Sequence, residues 1–144
     1  MKTTDVPITV EETFTVSIDK VWKAITDVKE MRLWFFDTIE SFIPEVGFET
    51  QFLVQVEDRK YTHCWKITEV IPNKKITYTW SYEEYPGDAY VTFELFKEDE
   101  GTRLILSLTV TQDLPSDIPE FTRESCQQGW NYFIGERLKT YLGK

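Results

Sequence analysis

The chain is poor in the residues that hold metals: its 144 residues include one histidine, His63, and two cysteines, Cys64 and Cys126. A metal site needs several convergent His, Cys or carboxylate ligands, and the strand parity described below does not bring these three together, so no metal is expected. No glycine-rich phosphate loop follows a strand, and there is no Gly-x-Ser-x-Gly elbow or dinucleotide fingerprint. Nucleotide cofactors have no seat, and no cofactor is expected. Basic residues are outnumbered, 16 Lys and Arg against 25 Asp and Glu, for a formal net charge of −9. Phosphate backbones are bound by clustered Lys and Arg that displace counterions, which excludes nucleic acid as a partner. No apolar run reaches the length of a signal-peptide core or a membrane span, so the expectation is a cytoplasmic protein. The two cysteines read as free thiols, because a chain of this length builds a core without staples. Cys64 is not read as a nucleophile, since His63 beside it points to the opposite face of a strand.

The chain is rich in rings, with five Trp, seven Tyr and ten Phe making up 15% of it. One core buries roughly two thirds of the unfolded surface at this size, and residues 1–144 are read as a single domain. Residues 8–16 alternate apolar Ile8, Val10, Phe14 and Val16 with threonines and Glu11, the period of a half-buried strand. Glu12 breaks the pattern by sitting on the apolar parity, which suits a sheet edge where it reaches water. Ser17 or Asp19 caps a short helix over 20–27, and a second short helix over 29–34 runs into Trp34-Phe35-Phe36. No amphipathic period hides three consecutive rings, so this surface must meet another element.

Strands are then expected over 48–56, 60–70, 74–81, 89–97 and 102–111. Turn residues punctuate them at Glu57-Asp58, Pro72-Asn73, Pro86-Gly87-Asp88 and Glu98-Asp99-Glu100-Gly101, so the strands pair as successive hairpins. The apolar parities carry Phe52, Val54 and Val56; His63, Trp65 and Ile67; Ile76, Tyr78 and Trp80; Val91, Phe93 and Leu95; and Leu104 to Val110 at alternate positions. After a proline-bearing loop comes a long helix whose Cys126, Trp130, Phe133, Ile134, Leu138 and Leu142 form one stripe. The fold expected is α+β: an antiparallel sheet wrapped around a long C-terminal helix, with two short helices near the N-terminus.

The entry segment from Phe14 through Trp22 to Asp27, the Leu33-Trp34 pair, Val70-Ile71-Pro72-Asn73 through Trp80, Gly101-Thr102-Arg103-Leu104 and Gly129-Trp130 resemble the homologues of the heat-shock protein 90 ATPase activator. The resemblance covers nearly the whole chain. It implies the START-like (SRPBCC) helix-grip fold, the shape shared with the birch-pollen allergen, and a place in the stress response. Superfamily members include lipid carriers, receptors, polyketide cyclases and chaperone regulators, so function must be read from the cavity.

A hollow is expected where the helix closes over the bent sheet, and a small hydrophobic or amphipathic molecule is the expected partner, bound without catalysis. The expected ligand contacts are Trp34, Phe52, Trp65, Tyr78, Trp80, Phe93, Trp130 and Phe133 as walls, with His63 and the Tyr78 hydroxyl for orientation. Two other readings compete with this one. A chaperone-interaction module follows from the resemblance and the acidic turns, and a cyclase- or hydrolase-like enzyme on aromatic, polyketide-like substrates would use His63 as base with Glu12 as its orienting partner.

Overall fold

The computed structural model describes residues 1–143. Its centre is a six-stranded antiparallel sheet built from β1 (Ile8–Phe14), β2 (Glu49–Val56), β3 (Arg59–Ile71), β4 (Lys75–Tyr82), β5 (Tyr85–Glu98) and β6 (Gly101–Gln112), in the spatial order β1-β6-β5-β4-β3-β2. The meander from β2 to β6 follows from the short connections, and β1 closes the far edge against β6. Alternation decides which face is buried: in β6, Thr102, Leu104, Leu106, Leu108 and Val110 point inward. Glu12 lies on the edge strand β1, where its carboxylate meets Lys139 Nζ at 3.1 Å. This is the water-reaching edge position that its sequence context suggests.

One turn lies elsewhere than expected. The β4–β5 connection is the tight Glu83-Glu84 pair, and Pro86, Gly87 and Asp88 are inside β5. Tyr82 pairs with Tyr85 and Trp80 with Ala89, so these three residues bulge opposite Ser81. Gly87 has φ +114°, and a Cβ there would sit 2.5 Å from Leu114 Cδ2, which explains why turn-type residues occupy a strand.

The C-terminal helix spans 123–141 as α3 (Arg123–Tyr132), a π-bonded stretch (Phe133–Leu138) and α4 (Lys139–Tyr141). Its buried stripe repeats at every fourth residue: Cys126, Trp130, Ile134, Leu138 and Leu142. In a regular α-helix each such step overshoots a full turn by about 40°, and the stripe would wind off the sheet. The wider i→i+5 turns rotate less per residue and bring Ile134 and Leu138 back over the sheet, where both are fully buried.

Two short helices, α1 (Ile18–Thr26) and α2 (Val28–Trp34), complete the fold. Asp27 caps α2 by accepting from Glu30 N at 3.2 Å, and Trp34 Nε1 donates to Ala24 O at 2.7 Å, fixing one helix on the other. At the end of α2 the chain leaves helical geometry at Phe35 and drives its ring beneath the sheet. Phe35 stacks on Trp34 at 4.7 Å between centroids and lies within 6.5 Å of Trp65, Trp80, Phe93, Trp130 and Phe133. The middle of the grip is therefore filled. Phe35→Ala should lower the unfolding free energy by about 3–5 kcal/mol, whereas Leu33→Ala, at a position 61% exposed, should stay within about 0.5 kcal/mol of the parent in urea denaturation.

Candidate ligand-binding site

Open space survives at one end of the grip, where the Arg59 end of β3, the ends of β2 and β4, and the start of α3 diverge. The cavity there has a volume of about 340 Å³. Val54, Val56, Tyr61, His63, Trp80 and Tyr82 form the sheet side, Glu120, Phe121, Ser125, Cys126, Gly129, Trp130 and Phe133 the helix side, and Phe36, from the segment after α2, closes the space between them. Gly129 deepens it, because a Cβ at that position would meet nothing within 4 Å.

Polar groups are few and each has a defined state. His63 is 5% exposed, with Phe52 stacked on its ring at 4.9 Å and Phe36, Trp80 and Tyr82 within 5.3 Å. Burial pushes its pKa down to about 4, against the weaker opposing pull of the Tyr61 carbonyl and the Glu84 charge. The ring is neutral at pH 7. Its Nδ1 lies 3.0 Å from Tyr61 O, and since a carbonyl only accepts, the proton sits on Nδ1 and Nε2 is left as an acceptor. Trp80 Nε1 donates to the Tyr82 hydroxyl at 2.8 Å, which leaves the Tyr82 proton for a ligand. His63 and Tyr82 thus offer the pocket an acceptor and a donor, beside the Ser125 hydroxyl, within walls of rings.

At the mouth, Arg59 clamps Glu120 with Nε to Oε1 and Nη2 to Oε2, both at 3.0 Å, and the Tyr61 hydroxyl donates to the same carboxylate. The Tyr61 bond, followed by Arg59, holds the Glu120 pKa below the ordinary value. Burial and the Glu120 bond push the Tyr61 phenol up to about 12. The Cys126 thiol is pushed up to about 11 by burial, which makes it an inert wall rather than a nucleophile.

Of the residues expected to meet a ligand, His63, Trp80, Trp130 and Phe133 line the cavity. Trp34, Phe52, Trp65, Tyr78 and Phe93 lie in the packed interior beside it. The Tyr78 hydroxyl is buried without a hydrogen-bond partner among the described residues; Phe42 packs against its ring at 5.7 Å, and the hydroxyl does not reach the cavity. Glu12 is not brought to His63: it is on β1 with Lys139, and β6, β5 and β4 lie between the two strands. The orienting carboxylate of the enzyme reading is therefore missing from the histidine, whose ring is held by a backbone carbonyl instead. Strand parity reaches Tyr61 and Tyr82, which share faces with His63 and Trp80, but nothing in the sequence marked Glu120 or Phe121. Among the described residues no cluster of His, Cys, Asp and Glu is placed to hold a metal ion, and no helix is long and apolar enough to cross a membrane.

The histidine carries a stability prediction. Between about pH 6.5 and pH 4 the unfolded chain takes up a proton on His63 that the folded chain refuses, so stability falls as pH falls through that window and the loss levels off below it. The total is about 3 kcal/mol, and His63→Gln should remove it from the difference between urea denaturation curves taken at the two ends of the window. As the sole histidine, its NMR titration midpoint should lie near 4.

Comparison with solved structures gives the same architecture. Mll3558 from Rhizobium loti superposes with a TM-score of 0.81 at 19% identity, over 94% of this chain and 96% of that one. CV1439 from Chromobacterium violaceum gives 0.78 at 20% identity, over 96% and 97%. DynU16, from the dynemicin biosynthetic locus, gives 0.75 at 22% identity, over 96% of this chain and 47% of that one. Comparison with curated proteins finds no match. The sequence profile described as Activator of Hsp90 ATPase homolog 1-like protein matches residues 15–143. With the START-like helix-grip fold and a match over most of its length, the chain belongs to the Activator of Hsp90 ATPase homolog 1-like family.

Proposed function

We propose that the protein binds a small, largely apolar molecule in the cavity at the open end of the grip, without transforming it. The observation that carries this reading is the cavity's make-up: about 340 Å³ walled by rings, with a neutral acceptor at His63 and a free donor at Tyr82. Space of this kind costs packing energy unless something fills it. Burying on the order of 150 Å² of apolar ligand surface returns about 4 kcal/mol. A ligand hydroxyl or amine directed at His63 Nε2 would set its orientation, and an aromatic body would stack between Trp80, Trp130 and Phe133. Binding is favoured over turnover because the histidine is a weak base with no carboxylate behind it and the nearby thiol is protonated.

The family supports a second reading, association with a chaperone through the outer surface. ATPase assays with the cognate chaperone test it: an unchanged rate and no co-purification would remove it. For the cavity, the uncharged probe N-phenylnaphthylamine should bind saturably by fluorescence titration. Gly129→Phe should abolish that binding by placing a ring in the space while the fold persists, and Trp80→Ala should weaken it by roughly tenfold. Undiminished binding to Gly129→Phe would put the ligand somewhere else.

A further inference from the structure

A second space of about 350 Å³ lies beside the first, at the free edge of β2, and Phe36 and Val54 are walls of both. Its other walls include Arg32 from α2 and Arg137 from the C-terminal helix. Both guanidinium groups are fixed by backbone carbonyls: Arg32 donates Nε to Ile39 O at 2.7 Å and Nη2 to Glu40 O at 2.6 Å, and Arg137 donates Nη2 to Leu33 O at 2.7 Å. Arg137 also reaches the Tyr132 hydroxyl through Nη1 at 3.4 Å. A carbonyl orients a guanidinium without cancelling its charge. Neither arginine forms an ion pair among the described residues, although the chain carries 25 acidic side chains and Arg59 and Arg103 are paired with theirs. Arg32 Nη1 and Arg137 Nε are left for another acceptor. One carboxylate, Asp37, stands at the rim, exposed and bonded to neither arginine.

We infer that this cleft is the seat of a carboxylate on the ligand whose apolar body fills the neighbouring pocket, so that the ligand class is an amphipathic carboxylic acid lying across Phe36. The inference rests on the proposed use of the apolar pocket. Charge favours a monoanion over a phosphate: two guanidinium groups less Asp37 leave one positive charge in the cleft, and the net charge of −9 around it opposes a dianion. Planar guanidinium donors match a planar carboxylate.

The test uses dansylaminoundecanoic acid and its methyl ester, which share an apolar body and differ in the charge. In fluorescence titrations at low salt, the acid should bind roughly tenfold more tightly than the ester, the size of one charge-assisted hydrogen bond. Added salt should narrow the difference. Asp37→Asn should tighten the acid several-fold and leave the ester unchanged, while Arg32→Gln with Arg137→Gln should erase the acid's advantage and leave the ester bound. Arg32 also holds the loop after α2 and Arg137 the last turn of α2, so if that double variant fails to fold, the acid-to-ester ratio and Asp37→Asn decide the matter alone. Equal affinities for acid and ester, unmoved by Asp37→Asn, would overturn the carboxylate seat and leave the apolar pocket standing. Binding of neither probe would overturn both.

Discussion

The structure depends on where the rings of Trp34, Phe35 and Phe36 go. A long helix laid on a bent sheet leaves space that its own stripe cannot fill, and three consecutive rings at the end of a short helix cannot all be hidden locally. Each problem resolves the other. Phe35 enters the middle of the grip among Trp65, Trp80, Phe93, Trp130 and Phe133, and the interior becomes solid there. Phe36 stops short, half-buried between Phe52, His63 and Phe133, and becomes the partition between two neighbouring spaces. The position of the candidate site is thus a consequence of packing upstream of it.

Around that partition the polar groups divide by state. Inside the apolar pocket, burial keeps His63 neutral and the Tyr61 carbonyl fixes its tautomer, so the histidine presents a hydrogen-bond acceptor without charge. At the mouth, charge is spent internally: Arg59, Tyr61 and Glu120 join the start of β3 to the turn before α3. Beyond Phe36 the arginine charge is oriented and left unspent. The ring walls and the neutral acceptor belong to one space and the two arginines to the next, with Phe36 and Val54 common to both.

Much of the architecture was legible in the sequence because two periodicities dominate it. Alternation in Leu104, Leu106, Leu108 and Val110, and the stripe from Cys126 to Leu142, define the sheet face and the helix that covers it. The Pro86-Gly87-Asp88 run misled because residues that suit a turn also suit a bulge, and only contact with Leu114 separates the two. The π-bonded stretch went unread, although the strict four-residue repeat in the stripe is its signal. For the site, parity placed His63 and Trp80 on the inner face and the helix stripe placed Trp130 and Phe133, but parity has no coordinate along the strand. It therefore could not separate Trp65 and Tyr78, covered by Phe35 and Phe42, from Tyr61 and Tyr82 at the open end. Glu120 and Phe121 belong to a short 3-10 turn, Pro119–Phe121, whose position comes from the tertiary fold alone.

The central claim is that a ligand occupies the end of the grip and not its middle, and the tryptophans report on both places. Trp80 and Trp130 line the cavity, whereas Trp34 and Trp65 are sealed in the packed interior. Indole N–H resonances followed by NMR during titration with N-phenylnaphthylamine should show Trp80 and Trp130 shifting to saturation with Trp34 and Trp65 nearly still. Large shifts at Trp34 and Trp65, with Trp80 and Trp130 unmoved, would contradict it.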